Sequence, residues 1–232
     1  MSPCGLTQYG RRELILATVC FATACAATVW LAAAVSWWIA PAAVLPAAVY
    51  AWVLAFFRDP DFQVAEGPGL MVAPADGRVT DITNIGAESE LGRQGIRVGI
   101  FMSIFNVHVN CSPVAGVVES IEHRAGAFLD ARAPRASQRN ESATIRLRYR
   151  HGGGQFPVVV RQIAGMIARR IVTDLREGQT VERGQRIGMI KFGSRLELLV
   201  PQELVGQVRV EVGRAVRLGD TVLVEANEGC AQ

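Results

Sequence analysis

Lysine is almost missing from this chain. Of its 24 basic residues, 23 are arginine and Lys191 is the single lysine. So uniform a bias reads as genome composition. The arginines are nowhere dense enough to form the basic run expected of a nucleic-acid binder. Histidine is scarce as well. His108, His123 and His151 are the three imidazoles on offer for proton transfer near neutral pH. The five cysteines (Cys4, Cys20, Cys25, Cys111 and Cys230) show neither metal-ligand nor disulfide spacing. Unpaired thiols suit a reducing compartment. There is no Gly-x-Ser-x-Gly elbow, which argues against a serine hydrolase working as an intact chain.

Charge is the next absence. After Arg11, Arg12 and Glu13 no charged residue occurs until Arg58, leaving 44 uncharged residues from 14 to 57 that are rich in Ala, Val, Leu and Trp. One membrane span takes about 20 apolar residues, so this run is long enough for two. Ser36-Trp37-Trp38 and Pro41 lie near its middle, where a tight reversal belongs, and tryptophan favours the interface depth. The expectation is an N-terminal α-helical transmembrane hairpin within residues 1–58, with spans at about 14–34 and 39–57. A cleaved signal peptide would have a shorter apolar core and no second run directly after it. Arg11, Arg12 and Arg58 flank the hairpin and its turn carries no basic residue. The positive-inside bias therefore places both ends, and the domain at 59–232, on the cytoplasmic side of the cytoplasmic membrane.

The rest of the chain reads as mainly β. Residues 77–82, 95–101 and 143–150 alternate apolar and polar, and 156–160 and 207–212 are further strands. Period-two runs punctuated by glycine predict a barrel- or sandwich-like domain. His151-Gly152-Gly153-Gly154 reads as a turn. Helix candidates are short, at 162–173 and near Glu203. Gly178 to Gly188 follows Gly-x-x-Val-x-x-Gly-x-x-Ile and resembles the hairpin of biotinyl- and lipoyl-type domains.

Three stretches carry polar residues that burial alone does not explain: Pro74-Ala75-Asp76-Gly77, Phe105-Asn106-Val107-His108-Val109-Asn110 and Gly193-Ser194. A serine hydroxyl becomes a nucleophile when a base takes its proton. Histidine is suited to that task, and a carboxylate can fix its tautomer. Asp76, His108 and Ser194 supply the three types. By residue type alone, Asp76 could equally cap a turn, His108 sit in a core and Ser194 follow glycine in a turn. His123 and His151 are rival bases.

Taken in order, Phe57-Arg58-Asp59-Pro60, the two motifs holding Asp76 and His108, Asn140-Glu141, Ala168-Arg169-Arg170-Ile171 and Met189-Ile190-Lys191-Phe192-Gly193-Ser194-Arg195 resemble the phosphatidylserine decarboxylases. The likeness is to the short, self-processing, pyruvoyl-dependent kind, and it runs from about residue 57 to 201. The short group carries Gly-Ser-Arg where the long bacterial enzymes have Gly-Ser-Thr. The long enzymes also have a second histidine where Phe105 stands here, so His108 is the candidate in that motif. The resemblance implies that Ser194 Oγ attacks the Gly193 carbonyl to form an ester. Elimination then yields chains 1–193 and 194–232, held together as a heterodimer, with residue 194 as a covalent pyruvoyl group. His108 would be the base, held by Asp76. The pyruvoyl carbonyl would form a Schiff base with phosphatidylserine and accept the electrons left by carbon dioxide, giving phosphatidylethanolamine. No metal or dissociable cofactor is implied. Arg195 and Arg139 are candidates for the lipid phosphate, and homo-oligomerisation stays open. The alternative is a membrane-anchored lipoyl- or biotinyl-like carrier, or a transport adaptor, with Lys191 as the modified residue.

Overall fold

The computed structural model of the protein describes residues 5–133, 135–166, 170–191, 193–227 and 229. It divides into two compact units, residues 1–61 and 62–232.

The first unit is a helical hairpin. Helix α1 spans Arg11–Ala34 and α2 spans Val44–Phe56, joined by a 3-10 segment, Trp37–Ala43, that contains Pro41. Including their 3-10 turns, the two apolar helices run Gln8–Ala34 and Trp37–Phe56, each long and apolar enough to cross a membrane. The hydroxyls of Thr18, Thr23 and Thr28 donate to the carbonyls of Leu14, Val19 and Ala24 one turn back, so these three donors are satisfied within the helix. Tyr50 joins the helices, stacking on Phe21 with ring centroids 4.5 Å apart and lying 3.0 Å from Thr18 Oγ1. At the open end, Thr7 N–H donates to Phe57 O and Asp59 N–H to Gly5 O, so entry and exit lie together. Trp37 and Trp38 stack at the opposite end.

The second unit is mainly β. In chain order its strands are β1 (Leu70–Val72), β2 (Gly77–Ile85), β3 (Gly95–Met102), β4 (Val109–Cys111), β5 (Gly116–Arg124), β6 (Ser142–His151), β7 (Gly154–Ile163), β8 (Arg170–Thr173), β9 (Thr180–Val181), β10 (Arg186–Lys191), β11 (Ser194–Pro201), β12 (Val205–Val208), β13 (Ala215–Val216) and β14 (Val222–Ala226). A curled eight-stranded antiparallel sheet runs β13-β2-β3-β11-β7-β6-β5-β9, with two three-stranded sheets, β1-β14-β12 and β4-β10-β8. All three contribute to one core that includes Met71, Val98, Ile145, Ile190, Leu196 and Val224. The alternation read from the sequence places that core. In β3, Val98, Ile100 and Met102 point inward, while Arg97, Gly99 and Phe101 lie on the other face. Gly152 and Gly153, with φ of 54° and 81°, close the β6–β7 hairpin in the left-handed conformation that such a turn needs.

Two expectations need correction. The proposed helix at 162–173 is absent from its described residues: 162–163 finish β7 and 170–173 form β8. A short apolar run does not reveal its period, and pairing with β6 and β11 decides for strand. The segment 178–188 has Gly178 and Gly184 in left-handed turns and buries Val181 and Ile187, as its spacing suggests. Its strands do not pair with each other, however. β9 pairs with β5, and β10 with β4 and β8, so the segment links two sheets. The 3-10 turn at Gln202–Leu204 lies at the second helix candidate.

Candidate active site

Strand β11 begins at Ser194, opposite Met102 at the end of β3. Opposed residues share a face, so the Ser194 side chain points into the core. It is fully buried, and its Oγ donates to Met102 Sδ at 3.4 Å. Gly193 has a φ of +49°, a left-handed conformation that disfavours any side chain. Its carbonyl oxygen is wedged against Gly165, where an added Cβ would overlap both that oxygen and its carbon. The Gly193 carbonyl is thus fixed by a second glycine 28 residues earlier.

His108 lies one step before β4 and is fully buried, and its carbonyl accepts from Ile190 N–H at 3.3 Å. Its Nδ1 sits 2.9 Å from the Asn106 carbonyl oxygen, which can only accept. Nδ1 therefore carries a hydrogen, and in the neutral ring Nε2 holds the lone pair, the tautomer a general base requires. Asp76 Oδ1 accepts from Leu218 N–H at 2.8 Å, and among the described residues no hydrogen bond joins it to His108. The Asn106 carbonyl occupies the orienting position that a carboxylate would otherwise take. His123 is exposed on β5, and His151 stacks on Tyr149 beside the β6–β7 turn.

A buried polar chain reaches Ser194 from behind. Thr173 Oγ1 donates to Gln162 Oε1 at 3.1 Å, and Gln162 Nε2 donates to Asn110 Oδ1 at 2.8 Å. Asn110 Nδ2 approaches Met102 Sδ at 3.9 Å, the same sulfur that receives the Ser194 hydroxyl. Asn110 lies two residues beyond His108 on an extended segment, so the two share a face.

Arg195 points the other way. Its guanidinium bonds to Glu197 Oε1 and Thr80 Oγ1, both at 2.9 Å, and to Asp81. Glu197 is fully buried. It also accepts from Ser137 Oγ at 2.6 Å and faces Arg161 at 3.7 Å and Arg97 at 3.8 Å. Burial pushes the Arg161 guanidinium below its ordinary value, against the opposing pull of Glu90 and Glu197. The network fits because Gly99 has no side chain, since a Cβ there would overlap Asp81 and Arg195. Arg139 is exposed at the end of the short helix α3 (Ala136–Arg139).

A pocket of about 260 Å³ opens beside Gly193, lined by Phe101, Ser103, Ile104, Asp130, Ala131, Arg132 and Met166. Asn140, fully buried, ties two of its walls together. Its amide accepts from Leu129 N–H at 2.9 Å and donates to the carbonyls of Leu129 at 2.8 Å and Ala164 at 2.7 Å. Asn106 closes the third wall, accepting from Ser103 N–H at 2.9 Å and Ser103 Oγ at 2.7 Å. Hydrogen bonds from Arg132 hold the Asp130 carboxyl below the usual carboxylate range, and Asp130 raises Arg132 in return.

Gly165, Gln162 and Arg132 were not singled out from the sequence, and Asn110 was quoted within the His108 stretch but given no task. The Asn140-Glu141 motif gave a place for Asn140 but no task. Ala168, Arg169 and Phe192, from the motifs read in the sequence, lie outside the described residues. Lys191 is buried in β10 and not at an exposed turn where a carrier lysine would be reached for modification.

The sequence model of the family described as phosphatidylserine decarboxylase matches residues 49–224. Proteins named phosphatidylserine decarboxylase proenzyme are similar over most of the chain. That of Nitrobacter winogradskyi is 46% identical over 177 residues, covering 75% of this chain and 70% of the relative. That of Salinibacter ruber is 43% identical, covering 80% and 81%, and that of Syntrophus aciditrophicus is 42% identical, covering 80% and 84%. With a buried serine behind a left-handed glycine and a match of this extent, the chain belongs to the phosphatidylserine decarboxylase family.

Proposed function

We propose that this chain is a proenzyme that cuts its own Gly193–Ser194 bond and then decarboxylates phosphatidylserine to phosphatidylethanolamine. The observation that carries the reading is the scissile peptide itself. Gly193 is left-handed, its carbonyl is held against Gly165, and Ser194 Oγ is fully buried beside it. Ser194 Oγ adds to the Gly193 carbonyl and the C–N bond breaks, leaving an ester and a free amine at residue 194. Loss of the Ser194 α-hydrogen to a base expels the Gly193 carboxylate. Water enters and ammonia leaves, so residue 194 ends as a pyruvoyl group on chain 194–232. His108 is the base in this reading; a positioned general base contributes about 10²–10⁴-fold.

The surroundings of residue 194 fit such a group. They are apolar on the core face, and Asn110 reaches toward them with an amide whose acceptor is only a thioether. When formed, the pyruvoyl group supplies an electron sink for the pair left behind by carbon dioxide. The chain's own part is to bind, orient and return a proton. The pocket beside Gly193 takes the headgroup, the exposed Arg139 and Arg132, the latter paired with Asp130, are the cations proposed for its phosphate, and His108 returns a proton to the substrate α-carbon. Arg195, taken up by Glu197, Thr80 and Asp81, anchors the new chain end. Helices α1 and α2 span the membrane with Arg11, Arg12 and Arg58 on the cytoplasmic side. A Ser36→Cys variant should then be labelled by an impermeant maleimide from outside intact cells.

Intact mass of the purified protein tests the main reading. Two chains, 1–193 and a 194–232 chain blocked at its start, are expected. Active protein with a single full-length chain would overturn it.

A further inference from the structure

We infer that the loops around the Gly193 pocket dock directly on the surface of an anionic bilayer, as a contact separate from the helical hairpin. The inference rests on the reading above that Gly193–Ser194 is the reactive centre. In the second unit the exposed large apolar side chains among the described residues are Phe105, Phe128, Leu129, Met166 and Val212. All but Val212 stand on the three loops that wall the pocket, those around 103–106, 128–132 and 165–166. Phe105 is 69% exposed and Met166 64%. Single exposed apolar residues are ordinary, but a cluster confined to one mouth marks an interaction site.

These are not slack loops that expose apolar groups by accident. Asn106 closes the loop carrying Phe105, and Asn140 fixes both the loop carrying Phe128 and Leu129 and the one leading to Met166. Side-chain amide hydrogen bonds hold the backbone while the apolar side chains face outward.

Two observations select a bilayer as the occupant. The pocket, about 260 Å³, is smaller than the roughly 300–1,000 Å³ typical of sites that engulf a drug-sized ligand. It has room for a headgroup but not for two acyl chains, which must stay outside its mouth. The charge is also complementary. Arg132, Arg135 and Arg139 follow the apolar loop within a dozen residues, against a single acid, Asp130, and all three arginines are exposed. Apolar side chains at the acyl boundary with arginines at headgroup level is the pattern of an interfacial anchor.

The test uses full-length protein with Phe105→Ser and Phe128→Ser together, neither of which lines the pocket. Decarboxylation is measured on phosphatidylserine in vesicles bearing the reconstituted protein, and on a short-chain phosphatidylserine below its micelle concentration. The expected result is complete self-cleavage, a vesicle rate lower by about tenfold, and a rate on the monomeric lipid within about twofold of the parent. A second arm raises the phosphatidylglycerol content of phosphatidylcholine vesicles. The parent should accelerate, and Arg135→Glu should lose about fivefold of that gain. Equal loss on both substrates would overturn the inference, since the loops would then serve catalysis or folding. So would no loss on either. A drop from dimer to monomer in detergent with an unchanged vesicle rate would also overturn it and assign the rim to a second copy. Failure of the underlying reading looks different: the parent itself would be uncut.

Discussion

The two faces of strand β11 are both buried, and they could hardly differ more. Ser194, Leu196, Leu198 and Val200 face a core of aliphatic side chains; Arg195 and Glu197, one step along, face a cluster of paired charges. The alternation of a strand lets one short segment do both. The apolar face encloses the Ser194 hydroxyl. The charged face ties down Arg195, which in the proposed reaction becomes the second residue of a new chain end. A purely apolar anchor would resist sliding less, because packing is non-directional whereas a guanidinium fork has a fixed geometry.

This comparison can be broken from either side. The largest effect belongs to the core face. Ser194→Ala should leave one full-length chain and abolish carbon dioxide release, as seen by electrophoresis and assay together; an uncut variant that still decarboxylates would contradict the role given to Ser194. On the charged face, Glu197→Leu strands Arg195 and Arg161 without their shared partner. Loss of one member of a buried pair costs about 3–5 kcal/mol, so urea unfolding should shift strongly, and any protein that folds should still cut.

Gly165→Ala reverses the pattern. Its methyl would displace the Gly193 carbonyl, and a misplacement of about 1 Å can cost about 10²-fold in rate. Cleavage followed over time should slow by that order, while the unfolding midpoint moves less than for Glu197→Leu. Asn110→Leu leaves Gln162 Nε2 without its acceptor, at a cost of about 1–3 kcal/mol. If Asn110 also serves the site, cleavage should slow beyond what Gln162→Leu produces at equal stability loss.

The last effect vanishes near neutral pH and reads the burial of the interior. Burial pushes the Cys111 thiol from 9.0 up to about 12, offset in part by its hydrogen bond and by Arg186. The unfolded chain releases this proton near pH 9 while the folded chain keeps it. Stability is thus unaffected below pH 9 and falls by about 1.4 kcal/mol per pH unit as pH rises toward 12. A Cys111→Ala variant should lack this part of the alkaline slope in denaturation measured at a series of pH values.

What the sequence disclosed depended on distance along the chain. The strands at 77–82, 95–101 and 143–150 were legible because one face of each is buried and the pattern is local. Gly193-Ser194 was legible because the whole motif is contiguous. The ion network was not: Glu197 meets Ser137 across 60 residues and Arg195 meets Asp81 across 114. Gly165 resembled any loop glycine, and only the carbonyl lying against it gives it a task. The 162–173 stretch was misread as helix because Gln162 and Ile163 look helical until β6 and β11 are placed beside them.

By itself, then, the sequence determined the apolar hairpin, the mainly β character and the family, and it singled out the Gly193-Ser194 pair and His108 on which the proposed reaction rests. These follow from composition, local period and a contiguous motif. Only the tertiary structure decided which face of β11 is dry, that Asn106 rather than Asp76 meets the His108 Nδ1, and that Arg195 anchors a strand. The physical reason is that hydrogen bonds and ion pairs act over about 3 Å of space, and folding alone brings residues a hundred positions apart within that reach.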